Sequence, residues 1–299
     1  MYGRSNGGIR AYAPKEKTVM TKKCVLVALA AAFVCALASG PALADNEKGS
    51  AVIKGKVVFD GEAPKPKPLA IGGDQHCVKA HPKPQPDQGT IVYAKDGNTI
   101  PYVFVYVKKG VKGKYDPPAD AIVLDQKDCM YHPHVFGMVA GQKIQITNSD
   151  PTNHNVHSLA KKNPTFNFAQ AQAGMVKELA GKDTFNKEEV MVKIKCDVHA
   201  WMSTYCGVLT HPFFDVTKSH ENDDGDKSKR GTFTLSGLPS GEYEVAAWHE
   251  TFGELTEKVT VGDGETKEIE FKFGAKKAEA PTPTREVILS TEVESPEKK

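Results

Sequence analysis

The chain has 299 residues, of which 39% are hydrophobic, and its formal net charge at neutral pH is +2. This length is enough for one to three domains that each bury a core. Because the charge is nearly balanced, the composition gives no reason to expect a nucleic-acid-binding protein.

The N-terminus has the features of a secretory signal. Lys22 and Lys23 precede CVLVALAAAFVCALA, an apolar run of roughly 15 residues, and a small-residue cleavage sequence ends at Ala44. The run is shorter than the about 20 apolar residues of a membrane-spanning helix. We therefore expect residues 1–44 to be a signal peptide, with Met20 as an alternative start. The mature chain would then be exported to the periplasm or the cell exterior.

The following segments predict an all-β domain over residues 50–213. Short runs rich in Val, Ile, Tyr and Phe are separated by Gly, Pro, Asn and Asp, which is typical of a sandwich or barrel. A weak helical period occurs only over residues 168–181. The predicted strands are 51–59, 101–107, 141–147, 190–196 and 205–210.

A second, smaller β-sandwich is predicted over residues 217–274. The polar stretch 219–230 suits a linker or an exposed loop. After it, alternating apolar residues flank a Leu-Pro-Ser-Gly turn, and two further strands, 257–261 and 267–273, enclose a GDGE turn. Residues 275–299 hold scarcely any large apolar side chains, so we expect a disordered tail.

Metal-ligand residues cluster in IKCDVHAWM, which places Cys196, His199 and Met202 three residues apart at a strand end. Upstream, His154 and His157 directly follow another predicted strand. Two imidazoles, a thiolate and a weak thioether are the ligands of a mononuclear copper site for electron transfer. Zinc also binds Cys and His but seldom Met, so Met202 favours copper over zinc.

The segments HNVHS and KCDVHAWM, with the lead-in YHPHVFGMVAGQKIQITNSD, resemble the copper site of cupredoxins of the plastocyanin and amicyanin type. The resemblance covers roughly residues 129–210 and implies a Greek-key β-sandwich with one type 1 copper. It assigns the ligands as His154, Cys196, His199 and Met202. It also implies that the backbone of Asn155 hydrogen-bonds the thiolate, and it favours His154 over His157, the alternative ligand, which it places beside the site or at the surface.

This resemblance implies a function as an electron carrier, not an enzyme. The redox partner would be a protein such as a c-type cytochrome or a periplasmic dehydrogenase. Electrons would pass through a solvent-edge His199, with Ala200 and Trp201 as an apolar docking patch. A copper carrier or sensor without an electron-transfer role would use the same ligands and stays open as the alternative.

The stretch FTLSGLPSGEYEV resembles carboxypeptidase-regulatory-like and collagen-adhesin B-type domains, which belong to the same class of sandwich as transthyretin. The mature chain as a whole therefore resembles exported bacterial proteins that join a cupredoxin domain to such a module. This second resemblance implies no chemistry.

The remaining cysteines of the mature chain are Cys77, Cys129 and Cys206. In an exported protein, Cys77 and Cys129 favour a disulfide. The alternative is a second metal site, because His81 and His132 follow these cysteines at ligand-like spacings. We expect Cys206 to be a buried thiol, although the sequence alone does not fix the connectivity.

Overall fold

A computed structural model describes residues 49–274. The predicted signal peptide and the predicted tail lie outside this range. The described part of the chain is built from strands, one short helix and a few single 3₁₀ turns, which confirms the predicted all-β fold. The strands are β1 (Ala51–Asp60), β2 (Phe104–Lys109), β3 (Ile122–Lys127), β4 (Met130–His132), β5 (Val135–Val139), β6 (Ile144–Asn148), β7 (His154–Ser158), β8 (Asn167–Gln170), β9 (Met175–Leu179), β10 (Glu189–Lys195), β11 (Ser203–Leu209), β12 (Phe214–Val216), β13 (Thr232–Leu238), β14 (Gly241–His249), β15 (Gly253–Val261) and β16 (Thr266–Gly274).

The helix, α1, spans Gln75–Ala80, and the 3₁₀ turns span Gln88–Thr90, Ala94–Asp96, Gly181–Asp183 and Lys227–Lys229. The weak helical period over 168–181 does not correspond to a helix, because β8 and β9 occupy that stretch. They are separated by a turn in which Gly174 has a positive φ of 83°, a conformation that favours glycine and interrupts a helix.

One sandwich contains the candidate metal ligands. Its sheets have the strand orders β5-β11-β10-β7-β8 and β4-β3-β6-β9. Alternate side chains of these strands point inward, as the two-residue repeat of a strand requires. They form a shared apolar core that includes Leu124, Ile146, Val156, Ile194 and Val208. Fully burying such side chains stabilises the fold by about 1.5–3 kcal/mol each, so the strands that present the ligands are firmly fixed.

The other sandwich combines strands from both ends of the described chain. β1 lies between β13 and β16, and β2 lies between β12 and β14 in the sheet β12-β2-β14-β15. Their inward side chains, among them Ile53, Val105, Val245 and Phe271, form a second core. The pairing therefore crosses the boundary predicted at residues 213–217, because β1 and β2 were assigned to the first domain and pair with strands that follow that boundary.

The two sandwiches meet through a third apolar cluster, in which Phe104 and Tyr106 of β2 pack near Val135 and Leu209. Glycine is required at this contact. A Cβ atom added to Gly207 would lie 2.3 Å from the Phe104 ring, which is closer than van der Waals contact allows. The absence of a side chain at Gly207 therefore lets β11, a strand that leads away from the ligand loop, lie directly against β2.

Candidate metal centre

Three of the four predicted ligands lie together at one end of the ligand-bearing sandwich. A ligand atom from each of His154, Cys196 and His199 lies within 4.8 Å of the other two. His154 Nδ1 is 3.0 Å from His199 Nδ1, and Cys196 Sγ is 3.9 Å from that same atom. Nitrogen and sulfur atoms that lie about 2.0–2.3 Å from one ion are separated by at most roughly 4.6 Å. The separations from His199 to His154 and to Cys196 are therefore short enough for one ion to contact both residues of each pair.

β7 presents the first histidine. In this strand His154, Val156 and Ser158 are buried, whereas Asn155 and His157 face outward. His157 Nδ1 instead donates to the Asp197 carboxylate at 2.9 Å. His157 therefore lies on the opposite face of the strand from the predicted ligands.

The other predicted ligands come from the loop between β10 and β11. Two backbone hydrogen bonds close this loop: Cys196 N donates to Met202 O at 3.1 Å, and Met202 N donates to His199 O at 2.9 Å. The Met202 side chain is fully buried in the same apolar core as Cys196. The loop thus holds a thiol, an imidazole and a thioether in one compact turn beneath the surface.

Two backbone amides point at the Cys196 sulfur. Asn155 N donates to Sγ at 3.3 Å, and His199 N donates to it at 3.4 Å. The first bond confirms the contact expected for Asn155. Burial raises the pKa of the Cys196 thiol, but hydrogen bonds from His154 and from these amides outweigh burial and lower the pKa overall. The surroundings thus favour the thiolate, which is the form that binds metals.

Asp150 orients His154. The Nε2–H of His154 donates to Asp150 Oδ2 at 2.8 Å, and this carboxylate is itself almost completely buried. The bond makes Nδ1, the atom that faces His199, the ring nitrogen that a metal could bind once it displaces the Nδ1 proton. Burial lowers the pKa of His154, but hydrogen bonds to Asp150 and Cys196 raise it to about 9.

The structure corrects one expectation about His199. Its side chain is not at a solvent edge: only 2% of the residue is exposed. The segment around α1 covers it, with Cys77 Sγ and Asp74 Oδ2 each 3.7 Å from His199 Nε2. We refer to residues 74–80 as the cover. Burial and the nearby His154 lower the pKa of His199.

Trp201 also belongs to this enclosure. Its ring centroid lies 4.9 Å from that of His199, and its indole N–H donates to Cys129 O at 3.0 Å. Trp201 is therefore committed to contacts within the molecule, although Ala200 beside it is exposed. Trp201 is only partly buried, so the expected docking patch formed by both residues stays a prediction.

A disulfide between Cys77 and Cys129 anchors the cover, which confirms the predicted pairing. Cys206 is a free thiol, fully buried, and burial raises its pKa well above the ordinary value. His81 contacts the backbone oxygen of Asp128, and His132 lies 3.9 Å from Glu221. Neither histidine therefore forms the second metal site that its spacing from Cys77 or Cys129 suggested.

Sequence reasoning missed Asp150 and Asp74, the two carboxylates beside the imidazoles. Asp150 lies four residues before His154 in the turn that follows a strand, and this local spacing was the available signal. Asp74 lies far from the ligands in sequence. The disulfide and a hydrogen bond from the Thr152 hydroxyl hold it at the site.

No protein-family profile matches the chain, and no curated protein matches it. Solved structures that match part of it include copper proteins. A copper-containing nitrite reductase from Thermus scotoductus SA-01 is 18% identical over 36% of this chain and 25% of that chain, with a TM-score of 0.27. A purple cupredoxin from Nitrosopumilus maritimus is 22% identical over 30% of this chain and all of that chain, with a TM-score of 0.25.

A mutant of amicyanin in its Cu(I) form is 18% identical over 35% of this chain and 98% of that chain, with a TM-score of 0.26. The match thus spans a quarter of the reductase chain and nearly all of the two smaller proteins. TM-scores of this size do not establish a family for the chain. The case for a metal site therefore depends on the side chains described above.

Within residues 49–274, no helix has the length and apolar character needed to cross a membrane.

Proposed function

We propose that this protein binds one copper ion through His154, Cys196, His199 and Met202 and carries single electrons between redox proteins. The observation that supports this most directly is the buried group of three ligand atoms. Two imidazoles and a thiolate converge within 4.8 Å in a strand-supported pocket with a buried methionine beside them.

The donor set fits copper better than other common metals. Thiolate and thioether sulfur suit Cu(I), imidazole suits both oxidation states, and zinc seldom uses methionine. Copper held by these residues would supply the Cu(II)/Cu(I) couple of a type 1 centre. The protein then has to hold the same ligand geometry in both states.

The residues of the site achieve this by fixing the ligands before the ion binds. The amides of Asn155 and His199 hold the Cys196 sulfur, and Asp150 holds the His154 ring. The Asn155 side chain adds a cross-link, since its Oδ1 accepts from Asp197 N at 3.1 Å. Because β7 and the ligand loop are tied to each other in this way, a change in oxidation state would move few atoms.

Electron exchange would have to pass through the cover, because His199 is buried. Contacts outward from its ring include Cys77 Sγ, Asp74 Oδ2 and the Trp201 ring. We propose that the redox partner docks over this end of the sandwich. Partners such as a c-type cytochrome or a periplasmic dehydrogenase fit an exported carrier.

A carrier that hands copper on is the second candidate. Rapid transfer requires at least one ligand that an acceptor can reach. All four proposed ligands are at most 2% exposed, so this burial favours retention of the ion and electron transfer.

The test is an absorption and EPR spectrum of the protein after addition of Cu(II), with its disulfide intact. We expect an intense visible thiolate-to-copper band and narrow hyperfine splitting, both lost in Cys196→Ala. Cys206→Ala is the matched control, because this variant also removes a buried thiol of the same sandwich but should keep the spectrum. A wild-type protein without the band, or a Cys196→Ala variant that retains it, would contradict the proposal.

A further inference from the structure

A second group of metal-ligating side chains lies behind the two imidazoles of the first site. Ligand atoms of His76, Cys129 and Asp150 lie within 4.8 Å of one another, and so do those of Asp74, Cys77 and His199. The disulfide between Cys77 and Cys129 links the two groups, since each group contains one of these cysteines.

The proposed copper site does not require these cysteines as ligands. While they are oxidised, their sulfurs are not thiolates and bind metals poorly. A dithiol changes this by exchange: its two thiols form a new disulfide, and Cys77 and Cys129 each gain an electron and a proton. The product is a pair of adjacent thiols beside the His76 imidazole and the Asp150 carboxylate.

The charge and polarity around this pair suit a cation. His76 Nε2 lies 3.3 Å from Asp150 Oδ1, and Asp150 also accepts hydrogen bonds from the amides of Asp128 and Cys129 at 2.8 and 2.7 Å. Asp74, at the start of the cover, adds a second carboxylate. Two thiols and an imidazole form a soft donor set that suits Cu(I) and also Zn²⁺, and a reductant that opens the disulfide also keeps copper as Cu(I).

The disulfide is buried, but the layer above it is thin. Both cysteines are fully buried, whereas Gln75, Val78 and Lys79 of the six-residue helix α1 are exposed. Short surface segments of this kind open locally at little free-energy cost. A reductant therefore has to displace only one helical turn to reach the sulfurs.

We propose that reduced Cys77 and Cys129, together with His76, form a second metal site that binds one Cu(I). Binding replaces the thiol protons with the ion and releases them to solvent. The disulfide thereby becomes a switch: the oxidised protein offers one metal site, and the reduced protein offers two.

The experiment uses the full chain with Cys196→Ala, which disables the first site, and with Cys24→Ser and Cys35→Ser, so that the N-terminal thiols do not bind Cu(I). Protein with its disulfide intact and protein reduced by a dithiol, which is then removed without air, compete for Cu(I) with bicinchoninate. We expect no bound Cu(I) in the oxidised form and one equivalent in the reduced form. Adding Cys77→Ser and Cys129→Ser should abolish binding while leaving Cys206 in place.

A second variant distinguishes a formed site from a pair of flexible thiols. In the reduced Cys196→Ala protein, His76→Ala should weaken Cu(I) affinity by roughly tenfold or more, as loss of a metal-site residue does. The control is His81→Ala, at the end of the cover, which should leave the affinity within about twofold on the same scale. Absence of Cu(I) binding after reduction, or equal affinities in the two histidine variants, would overturn the proposal.

Discussion

Asp150 is the residue on which the largest number of separate features of the site depend. Its carboxylate receives the His154 ring N–H, and it receives the amides of Asp128 and Cys129. The latter two residues have positive φ values of 51° and 54°, a conformation that costs most side chains about 1–2 kcal/mol each. One buried carboxylate thus orients a proposed ligand and stabilises the turn that carries half of the disulfide.

The Asp150→Asn variant should lose roughly 2 kcal/mol of unfolding free energy in the metal-free protein, since the pKa of Asp150 falls from 3.8 to about 2 on folding. A lowered carboxylate pKa stabilises the fold above pH 3.8, and this contribution is lost as the pH falls through 2. The raised pKa of His154 stabilises the fold below pH 6.5, and this contribution is lost as the pH rises through 9. The destabilisation should therefore be largest between about pH 4 and 6.5.

Urea unfolding of wild type and variant at several pH values would measure this difference. Asp197→Asn is the matched control. Its pKa is also lowered to about 2, by Lys195 and His157, but 35% of its side chain is exposed and water screens its charge. A loss that is equal in the two variants, or that does not change with pH, would show that Asp150 does not act through its charge.

The residues of the proposed site could be identified at the residue scale, because Cys196, His199 and Met202 are close in sequence and their chemistry is distinctive. The hydrogen bond from the Asn155 backbone to Cys196 could be predicted from the position of Asn155 next to His154. Burial of His199 was not predictable, since it depends on Asp74 and Cys77, which lie more than a hundred residues away. A ligand loop specifies which atoms converge, but other parts of the chain decide whether solvent reaches them.

At the scale of elements, the cover depends on one capping residue. Asp74 Oδ1 accepts hydrogen bonds from His76 N and Cys77 N at 2.7 and 3.1 Å, and its Oδ2 accepts from the Thr152 hydroxyl at 2.6 Å. A helix of six residues is too short to be stable by itself. The cap and the disulfide together hold α1 in place.

Asp74→Ala should loosen the cover without unfolding the sandwiches. Loss of an N-cap costs about 1 kcal/mol, so amide exchange in residues 76–80 should accelerate roughly fivefold, as measured by hydrogen–deuterium exchange. Asp87→Ala is the matched control, because Asp87 caps the 3₁₀ turn Gln88–Thr90 through Gly89 N in the same way. It should accelerate exchange near residue 89 only. Unchanged exchange in the cover of Asp74→Ala would contradict the assigned role of the cap.

The strands and the cover differ in how far the sequence predicts them. Runs such as VMVKIKC carry β-branched residues at alternate positions, and β10 lies where this pattern places it. The sequence QHCVKA contains helix formers (Gln75, Lys79 and Ala80), but it is too short to show a repeat, and proline-rich segments flank it. Its conformation comes from tertiary contacts that the local pattern does not contain.

At the scale of the whole molecule, the chain interleaves its two sandwiches. β1 and β2 come before the ligand-bearing sandwich in sequence, yet they are central strands of the sheets completed by β13 to β16. Sequence patterns identify strands but not their distant partners, so the predicted boundary placed β1 and β2 with their sequence neighbours.

A fragment ending at residue 213 should therefore fold poorly. It removes β13, β14 and β16, which pair with β1 and β2, and it exposes Ile53 and Val105, which are fully buried. Circular dichroism and thermal unfolding of residues 49–213 should show little cooperative structure. A chain ending at residue 274 is the control and should unfold cooperatively. A stable, cooperative short fragment would show that the ligand-bearing part folds without its later partners.

The parallel pairing of β1 with β16 also determines how the molecule resists being pulled. The register runs from Val52 opposite Thr266 to Asp60 opposite Gly274, so the chain enters β1 at one end of this ladder and leaves β16 at the other. A stretching force applied at residues 51 and 274 loads all the hydrogen bonds between the two strands at once, in shear, instead of opening them one after another. Tension along the chain would meet its main mechanical resistance at this strand pair, before it reached the proposed metal ligands.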